Sequence, residues 1–125
     1  MSRVKGGGIL LASAARTTAQ VSDDLNSFDD GVIVVLNVSV KSGAGSLTPS
    51  IQGKDPASGN YYDILTATAV TATGTYTYYV GPSTGTNAAL TKTVAVGLPS
   101  PWRVSVAVGN ADSWTYSVGY QTTEP

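Results

Sequence analysis

Residues 21–31, VSDDLNSFDDG, carry Asp23, Asp24, Asp29 and Asp30, and that density of carboxylates suits two kinds of chemistry. A glycosidase needs two acids facing each other across a cleft, and a Ca²⁺ site needs a set of oxygen ligands. Placement argues against both. All four acids fall in one polar connection, and Phe28 stands where an EF-hand spacing counted from Asp24 requires an oxygen ligand. The stretch reads as a solvated loop, or as a short helical turn over residues 21–28 capped by Ser22.

The rest of the catalytic repertoire is narrower still. The chain contains no His and no Cys, which removes Ser-His-Asp and Cys-His arrangements, imidazole bases and thiolate or imidazole metal ligands. Gly81-Pro82-Ser83-Thr84-Gly85 matches G-x-S-x-G, yet a nucleophile elbow needs a strand-to-helix turn and a histidine partner. Asn37-Val38-Ser39 fits the glycosylation sequon but lies inside a strand pattern. No enzymatic activity and no cofactor are expected.

With 7 basic and 8 acidic residues the net charge is −1, too balanced to supply the basic field on which non-specific nucleic-acid binding depends. Charged residues make up 12% of the chain, about half the usual share of roughly 25%. Weakly charged surfaces associate readily. No apolar run approaches the roughly 18 residues of a membrane-spanning helix, so neither nucleic acid nor membrane is an expected partner.

The elements that would position any site follow a period of two almost throughout. Val32, Val34, Leu36, Val38 and Val40 fall on one face of a central strand, with Ile33, Val35, Asn37 and Ser39 on the other. Trp102, Val104 and Val106 alternate with Arg103 and Ser105, and Trp114, Tyr116 and Val118 alternate with Thr115 and Ser117. Joined through Gly109-Asn110-Ala111-Asp112, these two runs read as a hairpin. Shorter strands are expected over residues 8–18, 47–54, 61–68, 75–80 and 91–98. The pattern predicts an all-β chain of about eight strands, folded as one antiparallel β-sandwich, Ig-like or jelly-roll-like.

Between two of those strands lies the polar knot GKDPASGN. Leu47, Pro49 and Ile51 share a face before it, and Tyr62 and Ile64 share one after it. Asp-Pro and Ser-Gly-Asn are turn chemistry, so the knot is a bend between strands.

The aromatic residues, nine tyrosines and tryptophans concentrated on strands, could instead stack sugars on an exposed row. Parity opposes this: Trp102 is in phase with Val104, and Trp114 with Val118, which makes both core residues. Tyr76 and Tyr78 share a face opposite Thr75, Thr77 and Tyr79.

The beginning, MSRVKGGGILLASAARTTA, has the outline of a signal peptide. Three glycines interrupt it and its apolar run is short, so residues 1–8 read as an extended arm and residues 9–125 as the sandwich.

Three segments carry a resemblance. Thr48 to Leu65 fits x-T-P-x-I-Q-G-x-D-P-x-S-G-x-Y-x-x-I-L, residues 73–82 fit T-G-T-Y-x-Y-x-V-x-P, and residues 99–118 fit P-x-x-W-R-V-x-V followed by D-S-x-x-Y-S-V. Together they resemble a group of small virion-associated proteins of tailed bacteriophages, over roughly residues 9–122. The resemblance implies a structural role, most often as head decoration on the outer surface of the capsid, with the major capsid protein as partner and a homo-oligomeric state. Tail or neck placement, or a carbohydrate-binding module, are the competing expectations. The MSRVKGGG arm has no counterpart in these motifs. Its Arg3, Lys5, Gly6, Gly7 and Gly8 are candidate contacts with a capsid subunit, together with Ile33 and Val35 on the second face of the central strand.

Overall fold

The computed structural model of the chain describes residues 7–26, 30–82, 90–109 and 112–123. Nine strands build it: β1 (Gly7–Arg16), β2 (Gln20–Val21), β3 (Gly31–Lys41), β4 (Leu47–Lys54), β5 (Tyr61–Thr66), β6 (Gly74–Gly81), β7 (Lys92–Ala95), β8 (Trp102–Val108) and β9 (Trp114–Thr123). They form a five-stranded sheet in the order β1-β9-β3-β6-β7 and a four-stranded sheet in the order β2-β8-β4-β5. The two sheets share one core, and the fold is the expected β-sandwich. Every ladder is antiparallel except that joining β7 to β6. Thr91 sets the start of this parallel edge, its N–H donating to Thr77 O at 2.8 Å while its hydroxyl accepts from Thr77 N at 2.9 Å.

Alternation makes the core. Val32, Val34, Leu36 and Val38 of β3, Tyr78 and Val80 of β6, and Trp114, Tyr116 and Val118 of β9 face Leu47 and Ile51 of β4 and Trp102, Val104 and Val106 of β8, all nearly free of solvent. Each such side chain contributes about 1.5–3 kcal/mol by leaving water, and here each strand supplies one every second residue. Both tryptophans are core residues at 0% exposure, as their parity indicates.

The expected hairpin of β8 and β9 is overturned. Consecutive in sequence, the two strands lie in opposite sheets, so their aromatic-aliphatic faces meet across the core instead of side by side. The link between them docks on the β3–β4 turn: Gly109 N donates to Ser46 O at 2.9 Å, Asp112 Oδ2 accepts from Gly45 N at 2.8 Å, and Ser42 N donates to Ser113 O at 3.0 Å. Gly43 sits at φ +82°, and a Cβ there would collide with the Asp112 carboxylate, so only glycine suits this junction.

Two bulges shift other expected faces. Ser39 is an extra residue between the Val38–Tyr116 and Val40–Thr115 pairs, which turns Val40 out to 55% exposure. In β5 the register slips at Ile64, so that Leu65 takes the core position opposite Ile51 in its place, while Tyr62, opposite Gly53 on the same face, lies at the open edge and is 47% exposed. A bulge reverses the parity of everything beyond it.

No helix occurs among the described residues, and Ser22 caps none. Its N–H donates to Val104 O and its hydroxyl accepts from Val104 N, each at 2.9 Å, prolonging β2 along β8. The polar knot is the bend it reads as. Asp55 N donates to Asn60 O at 2.8 Å, the Asp55 carboxylate accepts from Ala57 N and the Ser58 hydroxyl, and Gly59 takes φ +79°. Those local donors also hold the Asp55 carboxyl below its ordinary pKa, the Ser58 hydroxyl bond contributing most.

Candidate interaction surfaces

The sandwich presents two outer faces, one of which carries a charged cluster at one end. On the four-stranded sheet, Arg103, Gln52 and Asp63 stand in one cross-strand row, with Arg103 Nε donating to Gln52 Oε1 at 2.8 Å and Gln52 Nε2 to Asp63 Oδ1 at 2.9 Å. The Arg103 guanidinium lies 3.3 Å from the centre of the Tyr61 ring. Tyr61 in turn donates its phenol proton to the Asp24 carboxylate at 2.7 Å, and Lys54 Nζ stands 3.7 Å from the same group. Asp24, one of the four loop acids, is thus a strap tying the β2–β3 connection to β5. At this exposure each ion pair contributes no more than about 1 kcal/mol. Asp29 lies outside the described residues, and among those described no group of three or more His, Cys, Asp or Glu comes together to hold a metal.

The five-stranded sheet is different. Its outer face carries the row Gly7–Gln121–Ile33–Tyr79–Thr93 across all five strands, the row Ile9–Gly119–Val35–Thr77 across four, and Ser117–Asn37–Thr75 across three. None of these residues is charged. The apolar ones gather at the end where β1 begins: Ile9 is 75% exposed, and Ile33 and Val35 are half-buried by their neighbours. Glycines keep this end flat: Tyr79 occupies the space that a Cβ on Gly81 would need, and a Cβ on Gly31 would meet the Thr123 hydroxyl and the Val80 carbonyl.

Of the contact residues expected from sequence, Ile33 and Val35 are therefore both on this face. Gly7 and Gly8 are not arm: they pair with Gln121 and Tyr120 as the first residues of β1. The Tyr120 ring packs where a Gly8 side chain would stand, and its far edge meets Trp102 at 5.6 Å between centroids. Arg3, Lys5 and Gly6 lie outside the described residues, as do residues 83–85 of the G-x-S-x-G match.

A third feature escapes sequence reading because it joins the two sheets. The free edges of β5 and β7 border an open groove of about 380 Å³ lined by Tyr62, Asp63, Ile64, Val94, Val96, Gly97 and Pro99. Tyr62 and Val96, two of the most exposed large apolar residues, belong to it. The Tyr62 ring rests on Gly53, whose missing Cβ would fall 2.6 Å from the phenol oxygen.

No protein-family model matches the chain, and no curated protein matches it.

Proposed function

We propose that this chain is a non-enzymatic structural component of a tailed-bacteriophage virion, a decoration protein that lies on the outer surface of the head and fastens the shell. It does so by laying the outer face of its five-stranded sheet on the major capsid protein. The observation that carries this reading is the absence of charge along the cross-strand rows of that face, where the other broad face carries Arg103, Asp63, Lys54 and Asp24 at one end.

An uncharged flat face loses little solvation on contact, whereas each unpaired charge buried there would oppose docking. Strands about 4.8 Å apart and about 3.3 Å per residue make a face of about 24 by 26 Å, or about 600 Å². That approaches the roughly 800 Å² per partner of a standard interface, and repetition over a symmetric shell multiplies each contact. The resemblance of three segments to small virion proteins suggests the kind of partner. The sequence, lacking imidazole and thiol, is compatible with a role that transforms nothing.

Imaging of the purified particle at modest resolution tests this. Density for the chain is expected outside the shell, five-stranded sheet inward; particles bare of it, or density confined to tail or neck, overturn the head assignment.

A carbohydrate-binding module is the poorer fit to the aromatic residues. Trp102, Trp114, Tyr78 and Tyr116 are buried, Tyr61 is covered by Arg103, and Tyr62 alone lines a groove whose other walls are mostly aliphatic. Sugar hydroxyls need more polar partners than that.

A further inference from the structure

The groove between β5 and β7 has an apolar lining with one carboxylate, and the chain carries a segment, Arg3-Val4-Lys5, that combines an apolar side chain with cations. We propose that Arg3-Val4-Lys5 of one copy seats in the β5–β7 groove of a second copy, joining protomers head to tail.

The groove's position defines the backbone of its occupant. Among the described residues β5 pairs only with β4, and β7 only with β6, so both are sheet edges that border the groove. An extended segment is what satisfies such edges. Its lining defines the side chains. Tyr62, Ile64, Val94, Val96 and Pro99 make it apolar, and Asp63 is its one charged residue. Asp63 spends one oxygen on Gln52. The Lys92 ammonium donates to Thr66 O at 2.6 Å, and Arg103 reaches Asp63 only through Gln52. In an extended chain Val4 points to one side while Arg3 and Lys5 point to the other, which puts the valine against the aliphatic wall and the cations at the rim beside Asp63.

Reach defines the donor. Residue 7 opens β1, and β1 and β7 are the opposite edges of the five-stranded sheet, four spacings or about 19 Å apart. Arg3 stands four residues before Gly7, about 13 Å of extended chain. The segment falls short of its own groove, so the donor is a neighbour. Such a contact is heterologous and closes into a ring, or runs on, according to the rotation between copies.

The inference is independent of what the five-stranded sheet meets and is tested without particles. Light scattering of the full chain should show a mass that rises above the monomer with concentration. Val96→Arg, on the exposed groove wall, and the double variant Arg3→Glu/Lys5→Glu should both stay monomeric at concentrations where the wild type associates, with circular dichroism unchanged. Adding Asp63→Lys to the double variant should restore association. A labelled MSRVKG peptide should bind the wild-type chain and bind Val96→Arg at least tenfold more weakly. A wild type that is monomeric throughout, or association indifferent to all of these changes, overturns the proposal. So does a monomeric wild type whose Val96→Arg variant is lost from virions, since the groove then belongs to a shell segment.

Discussion

Tyr79 lies along the outer face of the five-stranded sheet in the space that a side chain on Gly81 would fill. The consequence is a flat, uncharged end of the sheet in which Ile33, directly opposite Tyr79, stands among residues that carry no charge. Gly81→Ala must lift the tyrosine. Because the ring's far end can swing into solvent, we expect a stability loss below about 1 kcal/mol but weaker docking of the face, read by thermal denaturation and particle binding in parallel.

Neighbouring residues of β3 should separate folding from docking. Val34 is 1% exposed in the core, so Val34→Asp buries an unpaired carboxylate and should leave no folded protein. Val35 faces outward and its aspartate can reach water, so Val35→Asp should fold with a loss of about 1 kcal/mol. Urea denaturation of both variants checks the contrast; unfolding of Val35→Asp would mean that both faces of β3 serve the core.

The core holds polar atoms that find no hydrogen-bond partner among the described residues: the hydroxyls of Tyr78 and Tyr116 and the indole nitrogens of Trp102 and Trp114. A buried hydroxyl without a partner forfeits its hydration. Tyr78→Phe should therefore be neutral or stabilising by up to about 1 kcal/mol, and a loss larger than that would reveal a partner.

The same phenols predict an alkaline limit. Burial pushes the Tyr78 pKa up to about 12, with Tyr76 adding to the shift, and burial also raises that of Tyr116 against the opposing pull of Arg16. The unfolded chain then loses these protons first. For Tyr78, stability is intact below about pH 10 and falls as pH rises from there toward 12, by at most about 1.4 kcal/mol per pH unit, and Tyr116 adds a decline of the same sign. Tyr78→Phe should flatten that decline in pH-dependent denaturation.

Arg16 secures the first strand. β1 is doubly bulged against β9, and the guanidinium donates to the carbonyls of Ala12 and Ala14 and, at 2.7 Å, to Tyr116 O, while lying over the Tyr116 ring. Arg16→Ala should cost about 1–2 kcal/mol and speed amide exchange in β1 more than in β3. Equal exchange in both strands would refute this role.

Period-two patterning needs only neighbours in sequence, so the bounds of β4 and the alternation of β8 were readable and the burial of Trp102 and Trp114 followed from parity. Sheet membership was not readable, because Gly109-Asn110-Ala111-Asp112 has the same turn chemistry whether its strands pair or part; Asp112's grip on Gly45, distant in sequence, decides it. The bulges at Ser39 and Ile64 were equally silent, which is why Val40 faces solvent and Leu65, in place of Ile64, faces the core. Of the site, Ile33 and Val35 were legible as a second apolar face. The β5–β7 groove was not, since its walls come from edges of different sheets.

The uncharged face of the five-stranded sheet is proposed to fasten this chain to a head shell. Quantitative mass spectrometry of purified particles assembled with wild type, with Val35→Asp, or with Thr48→Asp on the opposite sheet tests it most directly. We predict full occupancy for wild type and Thr48→Asp and a loss of at least tenfold for Val35→Asp in its folded form. Occupancy of Val35→Asp equal to wild type, or particles that never carry the chain, would contradict the account.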